Sequence, residues 1–575
     1  MKKYKNTFLL CIIVLVALFL RIYLLGVVPV GLTNDEADIG YDAYAILETG
    51  SDQWGHFLPV TSFMGFGDYR LPIYTYFVVP SVKIFNLNSF SVRLPSAIFG
   101  CVSVILIYLL TKKVLIKTSI NKEASGLFAA FLFSVSPWCI GLSRLGIESN
   151  VAITLMLLSL LLLMQSFYRQ KLLFLSAIFF ALTIYTYTSY SLFTPMVIAV
   201  SFIFFKKEYI KIKKTAILSL VLFAVLITPL FIFKSTAGVR ASQVSFLNSQ
   251  DNIGLITNLN ERRGSCVEKF PQVICKVTEN KQVLFFNTFF RNYLNHFSAN
   301  FLYLNGTITQ YSILPQRGLF YMVELMFLLF GVVYLLKYKN KNIFFVSVLL
   351  LLSPIPDALT GDGHYSRASE MIPFLLILEG IGCIYLWGAL NFFQSKIRLI
   401  AKLLMVLIIF FSTISFLTSY FSYFPKHYSS YSQFGYEEWA KLIKQKEKRY
   451  DKIYLSRYGN DTKQYIYYLF YTKYPPKKFQ IKENISYTQG DGGWISVDRI
   501  NNIIYVDRIP SEKALNEIRG EKVLLVTHPS ELPSDFKMKN MTVVKDKKGD
   551  GVFVFIDMKY LLEYYASQVK KQITE

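Results

Sequence analysis

Apolar residues run along this chain in long blocks separated by short polar segments. The first block, Phe8 to Leu25, has the length of a membrane span. Later blocks cover Pro95–Leu110, Ala124–Ile140, Val151–Phe167, Leu172–Tyr187, Leu192–Phe205 and Ala216–Phe233. Four more cover Leu319–Leu336, Ile343–Leu359, Met371–Leu390 and Ile400–Phe421. Each pattern predicts a helix that is apolar all round, the mark of a helix in lipid or deep in a bundle. Pro72–Leu87 is apolar too, but its place in the charge pattern sets it apart.

Basic residues between the blocks assign sides, because cytoplasmic loops are enriched in Lys and Arg. Lys2, Lys3 and Lys5 precede the first span. Further clusters are Lys112, Lys113 and Lys117; Arg169 and Lys171; Lys206, Lys207, Lys211, Lys213 and Lys214; Lys337, Lys339 and Lys341; Lys396, Arg398 and Lys402. They fall after every second span if Pro72–Leu87 does not cross. That segment therefore reads as an interfacial or re-entrant helix, leaving about eleven crossings. The expected fold is a polytopic α-helical membrane protein with a cytoplasmic N-terminus. An odd count puts loops 26–94, 234–318 and 357–370, and the C-terminal region, on the other face.

The pattern changes near Pro425. Short alternating segments at Lys452–Leu455, Asn502–Val506, Lys522–Val526 and Val552–Ile556 predict strands. Glu437–Lys446 and Glu512–Ile518 predict helices. The expected organisation is a transmembrane domain over 1–424 and a soluble extracytoplasmic α/β domain over 425–575.

Composition supports the membrane reading: 53% of residues are hydrophobic and the mean hydropathy is +0.38, too apolar for a soluble enzyme of this length. A net charge of +23 raises the question of nucleic acid. The basic clusters lie in short loops between spans, so topology and anionic lipid account for them and no nucleic-acid partner is expected. Cys266 and Cys275 flank a short polar stretch in the longest mid-chain loop. A non-cytoplasmic location favours a disulfide there over a zinc site, which would need further Cys or His nearby.

Candidate chemistry gathers in the predicted outer loops. Asp35 and Glu36 follow the first span in Thr33-Asn34-Asp35-Glu36-Ala37-Asp38. Helix capping explains one such residue, whereas two adjacent carboxylates at a membrane surface suit acid/base chemistry on a lipid-linked substrate. Asp68 and Arg70 can pair with each other, or Arg70 can hold a phosphate. Arg93 is an outer-face arginine, against the positive-inside bias. Arg144 and Glu148 make an i,i+4 pair or face a cavity with Asn150; Tyr187 lines that cavity or belongs to an interfacial belt. His364 and Arg367 sit in a Gly-rich loop, Thr360-Gly361-Asp362-Gly363-His364-Tyr365-Ser366-Arg367, that suits an anion. Glu324 and Glu379 lie within spans and are expected to face the bundle interior. The five His are scattered without metal-ligand spacing.

In this order, Asn34-Asp35-Glu36, Asp68 and Arg70, Arg93, Ser136-Pro137-Trp138, Ser143-Arg144 with Glu148 and Asn150, Tyr185-Thr186-Tyr187, and Thr360 with His364 and Arg367 resemble the membrane glycosyltransferases of the GT-C class. The branch is that of protein O-mannosyltransferases, lipid A aminoarabinose transferases and their bacterial family 39-like relatives, and the resemblance covers roughly residues 1–440. It implies a GT-C fold and a sugar donor on polyprenyl phosphate, transferred with inversion to an acceptor hydroxyl on a glycan, lipid or protein. It implies Asp35 as the base, with Glu36 beside it. Arg70, Arg93, Arg144, His364 and Arg367 become candidates for the donor phosphate. Asp68, Glu148, Asn150 and Tyr187 become candidates for substrate. No cofactor or catalytic divalent metal is expected, and the location is the plasma membrane, in service of the cell envelope. Arg70-Leu71-Pro72 stands where the family has His- or Lys-Pro-Pro, which speaks against protein O-mannosylation. The competing reading is a transporter or flippase for a lipid-linked or anionic substrate. Such proteins place polar groups at mid-bilayer, while here they gather at one face.

Overall fold

The computed structural model describes residues 2–116, 118–232, 253–307, 317–429, 433–459, 463–490, 493–534, 536 and 541–574. Lys117 and the parts 234–252 and 308–316 of the predicted mid-chain loop lie outside the described residues.

Every predicted apolar block contains a helix. Among the described residues, seven helices are long and apolar enough to cross a membrane. An eighth span results if Lys122–Val135 and Pro137–Arg144, bent by 56°, count as one. The bend has a local cause: Pro137 lacks the N–H that would continue the helix and instead starts the next one. Leu172–Ile184 and Tyr190–Phe204 are shorter apolar helices. Ile73–Phe85, in the segment expected not to cross, has 13 residues. At about 1.5 Å per residue it is too short for a hydrocarbon core about 30 Å thick.

The chain divides into two compact units. The first holds Met1–Tyr23, Leu71–Tyr74 and Ser96–Ser419 and is helical. Its interior is close-packed where glycines allow it. A Cβ at Gly382 would lie 1.8 Å from the Phe327 carbonyl oxygen, and one at Gly331 would lie 2.3 Å from that of Leu378. Helices Met322–Tyr338 and Ile372–Ala389 therefore meet backbone to backbone, as small residues permit in membranes. Glu324 and Glu379 on these helices are fully buried, facing the interior as expected. The outer surface is apolar: Leu403, Leu404, Leu407, Phe410, Phe411 and Ile414 on one helix are all exposed. Such a surface is stable only against lipid, so this is an integral membrane protein.

The second unit joins Leu24–Arg70 and Thr75–Pro95 to Tyr420–Glu575. Its sheet has seven strands, in the order 485–489, 495–500, 503–506, 452–456, 523–527, 551–557 and 542–545. The central strand Lys452–Ser456 pairs in parallel with both neighbours, Ile453 facing Ile503 on one side and Leu524 on the other. Its neighbour Val523–Thr527 is buried throughout, as a strand covered on both faces requires. The four strands and two helices predicted for this region are present within about two residues. Ile485–Gln489, Ile495–Ile500, Thr542–Lys545 and the helix Tyr465–Thr472 are additional.

That added helix packs on Asn34–Thr49 of the same unit. A Cβ at Gly40 would lie 2.5 Å from Phe470 and 2.6 Å from Val92, so only glycine permits the approach. The Tyr41 hydroxyl donates to the Tyr474 carbonyl at 2.9 Å, and the Gln480 amide donates to Thr49 Oγ1 at 2.8 Å.

Candidate functional site

The helix Asn34–Thr49 begins with a capping box. Glu36 N–H donates to Thr33 Oγ1 at 3.2 Å, and Thr33 N–H donates to Glu36 Oε2 at 3.0 Å. This satisfies two helix-end donors reciprocally. It also fixes which carboxylates face inward. Glu36, Asp38 and Asp42 are fully buried, while Asp35 in the same first turn is partly exposed.

Glu36 is held by Arg93. Nε donates to Glu36 Oε1 at 2.7 Å and one Nη donates to Oε2 at 3.1 Å. The remaining guanidinium N–H groups reach the carbonyls of Leu25, Pro29 and Gly31 at 3.3, 2.8 and 2.6 Å. A guanidinium has five N–H donors, and all of them meet acceptors within the chain. Arg93 therefore has none for a donor phosphate, the role expected of it. Its work is to fasten the turn between the first helix and the acidic helix.

Arg70 occupies the other side of the acidic helix. One Nη donates to the Asp35 carbonyl at 3.1 Å. The other pairs with Asp38 and lies 3.1 Å from Asp42 Oδ2. Gln53 completes the cluster, its side-chain amide on Asp38 and its backbone N–H 3.0 Å from Asp42 Oδ1. Asp68 Oδ1 accepts from the Phe66 N–H at 3.1 Å. Asp35, Glu36, Asp68, Arg70 and Arg93 thus come together in one unit, with Arg70 bracing the backbone of the exposed carboxylate. Arg70 is 2% exposed and faces carboxylates, so it too is placed to organise the site rather than to receive a phosphate.

Asp38, Asp42 and Gln53 were not singled out from the sequence. The signal was present: 35, 38 and 42 fall at i, i+3 and i+7, one face of a helix. Burial pushes Asp38 up to about 7, opposed by Arg70 and the Gln53 bond and reinforced by Asp68 and Asp35. Burial and then Asp38 raise Asp42 well above the usual carboxylate range. The pair accordingly holds a proton that an unfolded aspartate, titrating near about 4, would release. Because the folded chain binds protons more tightly here, stability falls as pH rises from about 4, and the Asp38 contribution levels off above about 7. Melting of the purified protein across that range is expected to show the slope, and Asp38→Asn to flatten it. An unchanged slope in the variant would place the proton elsewhere.

The remaining predicted residues lie in the first unit. Asp357, also not singled out, is fully buried in the short helix Ile355–Ala358 and anchors the Gly-rich loop that follows. Its Oδ2 accepts from His296 Nε2 at 3.0 Å and from the His364 N–H at 2.6 Å. Arg367 lies 3.7 Å from Asp357 Oδ1 and donates to Thr360 Oγ1 at 2.7 Å. Its side chain remains 28% exposed. The Ser366 hydroxyl links His364 Nδ1 at 3.0 Å to the Tyr187 hydroxyl at 3.3 Å. His364, Arg367 and Tyr187 therefore share one cluster. Asn150 does not join it: its amide donates to the Ser96 carbonyl and hydroxyl at 2.7 and 3.2 Å, a helix-to-helix tie that leaves no donor for substrate. Arg144 is fully buried and donates to the Leu20 carbonyl at 2.7 Å. Glu148 begins the helix Glu148–Ser166 and is partly exposed. Cys266 and Cys275 are joined by a disulfide, with Cα atoms 5.8 Å apart.

Residues 70–233 match the model of a family described as dolichyl-phosphate-mannose-protein mannosyltransferase. Searched by sequence, no curated protein matches the chain. Among solved structures, apo ArnT from Cupriavidus metallidurans is similar at a TM-score of 0.53 and 10% identity, over 98% of this chain and 99% of that one. ArnT bound to undecaprenyl phosphate gives 0.50 at 12% identity, over 96% and 97%. The Archaeoglobus fulgidus oligosaccharyltransferase gives 0.49 at 14% identity over 82% of this chain, which spans 63% of that enzyme. At these identities the structural likeness is one of fold. The full-length match to ArnT bears out the GT-C fold, and with the family match it bears out the resemblance to the family 39-like branch.

Proposed function

We propose that this GT-C chain transfers a sugar from a polyprenyl phosphate to an acceptor hydroxyl at the extracytoplasmic face of the plasma membrane. The observation that carries the chemistry is Asp35. It is the partly exposed carboxylate of the first helical turn, on a backbone held by Arg70 and next to the locked Glu36–Arg93 pair. A partly exposed carboxylate on a fixed backbone suits a general base. Asp35 takes the proton of the acceptor hydroxyl, whose oxygen forms a bond to the anomeric carbon. The bond from that carbon to phosphate breaks on the opposite side, polyprenyl phosphate leaves with the electron pair, and the centre inverts.

Within the first unit, Arg367 and His364 of the Gly-rich loop remain the candidates for an anion. Donor chemistry is supported by the family description and by the ArnT structure holding undecaprenyl phosphate. Arg70 already places a fixed cation among the carboxylates, so the reading requires no divalent metal.

The test uses purified protein in nanodiscs with radiolabelled undecaprenyl-phosphate glucose, galactose or mannose and an envelope fraction from cells lacking this chain. Label is expected to move to an acceptor, with release of undecaprenyl phosphate and no loss of rate in EDTA. Label that crosses a vesicle membrane still attached to its lipid would instead show a flippase.

A further inference from the structure

The helix Lys281–Asn295 of the first unit is inside out for a helix in water. Its buried residues are Thr288 and Asn292, both polar, while Phe286, Phe290 and Leu294 are 54%, 55% and 64% exposed. These three recur at i, i+4 and i+8 and form one stripe. Asn287 and Arg291, each one residue further on and also exposed, border it. The polar face holds the segment that carries His364 and Arg367. Asn292 donates to the Ala358 carbonyl at 3.2 Å, and Asn295 donates to the Asp362 carbonyl. His296, next after the helix, is the residue bonded to Asp357. Tyr293 ties the same helix to a membrane span: its hydroxyl donates at 2.7 Å to the carbonyl of Leu351, an exposed residue of Lys341–Ala358. Leu351 lies about 10 Å short of the Ala358 end of that span.

We infer that Lys281–Asn295 is seated in lipid at the Ala358 end of this span, with the Phe286, Phe290 and Leu294 stripe among acyl chains and Arg291 at the headgroups. Its polar face then sets the Gly-rich loop at the height of the lipid phosphates. Water does not suit a stripe of three large apolar side chains. Lipid suits it, because the helix is tied at Leu351 to a surface that already faces acyl chains. An amphipathic helix at a bilayer surface takes this arrangement, with its apolar side toward the chains and its cations at the interface. The loop is thereby held from two directions. Asp357 anchors it from the span, while Asn292 and Asn295 hold the backbone at Ala358 and Asp362 from the lipid-seated helix. The loop's part in holding phosphate rests on the function proposed above; the lipid seat is independent of it.

Spin labels test the seat. Among the described residues Cys11 is the exposed free cysteine, so Phe290→Cys and, for comparison, Asn287→Cys are made together with Cys11→Ser. Each is labelled with a nitroxide in nanodiscs of phosphatidylcholine and phosphatidylglycerol. At 290, collisions with oxygen are expected to exceed those with the water-soluble complex Ni-EDDA, and at 287 the balance should shift toward nickel. Nickel collisions that dominate at 290 overturn the seat. Few collisions with either agent overturn it too, in favour of a protein cover. The placement of the loop is read from binding in the same nanodiscs. Phe286→Ser with Phe290→Ser is expected to raise the Kd for undecaprenyl phosphate about tenfold or more, because a loop no longer held in place binds less tightly. Arg367→Gln is the reference. If it binds like the parent, the phosphate reading of the loop fails and the placement fails with it. If it weakens binding and the double variant does not, the placement alone is overturned. Should the double variant fail to fold, Asn295→Ala, which removes a tie to the loop and leaves the apolar stripe, is read by the same criteria.

Discussion

Asp35→Asn protein is expected to insert and melt like the parent and to lose sugar transfer by about 10²- to 10⁴-fold, the span that a positioned general base contributes. The amide is isosteric and keeps the first helical turn, because the Arg70 contact is to the Asp35 carbonyl and the cap depends on Thr33 and Glu36. Binding of the polyprenyl-phosphate sugar should hardly change, since the variant lacks only the proton acceptor. The loss should therefore fall on kcat. Parent-like kcat would remove Asp35 from the mechanism. Loss of melting stability instead would mark the residue as part of the fold.

Arg93→Met is expected to act through the fold. It leaves Glu36, fully buried, without its guanidinium, and frees three carbonyls in the turn before the acidic helix. Removing one partner of a buried pair costs about 3–5 kcal/mol, mostly from the charge left behind. Thermal melting in detergent should show a large drop, and the double variant Glu36→Gln with Arg93→Met should recover part of it. A donor-phosphate role predicts a different result, in which Arg93→Met melts like the parent and loses affinity for undecaprenyl phosphate.

These two residues show how far reading along the chain reached. Both were legible as chemically unusual: adjacent carboxylates after a span, and an arginine against the positive-inside bias. Their roles were not, because role depends on which donors are already engaged. Arg93 looked like a phosphate ligand until five acceptors were found around it. Asn150 changed in the same way, from a site candidate to a tie between helices. Asp38 and Asp42 were visible as a helical stripe, but a stripe of acids on an exposed helix is ordinary. Burial and the shared Arg70 give them meaning.

The C-terminal region shows the same division. Alternation located the strands at 452–456, 503–506, 523–527 and 551–557, since a buried strand writes its pattern locally. The helix Tyr465–Thr472 has no such record; its aromatic sequence suits a strand equally well. Its conformation follows from packing on Asn34–Thr49, through the gap left by Gly40.

By itself, then, the sequence determined what solvent writes into a chain: the apolar blocks, the alternating strands, and the positions of unusual charge. Each of these depends on how a residue meets water or lipid, a property of one short segment. The tertiary structure alone decided which charges are available to substrate. That depends on partners distant in sequence, 57 residues for Glu36 and Arg93 and 28 for Arg70 and Asp42, and no local pattern records them.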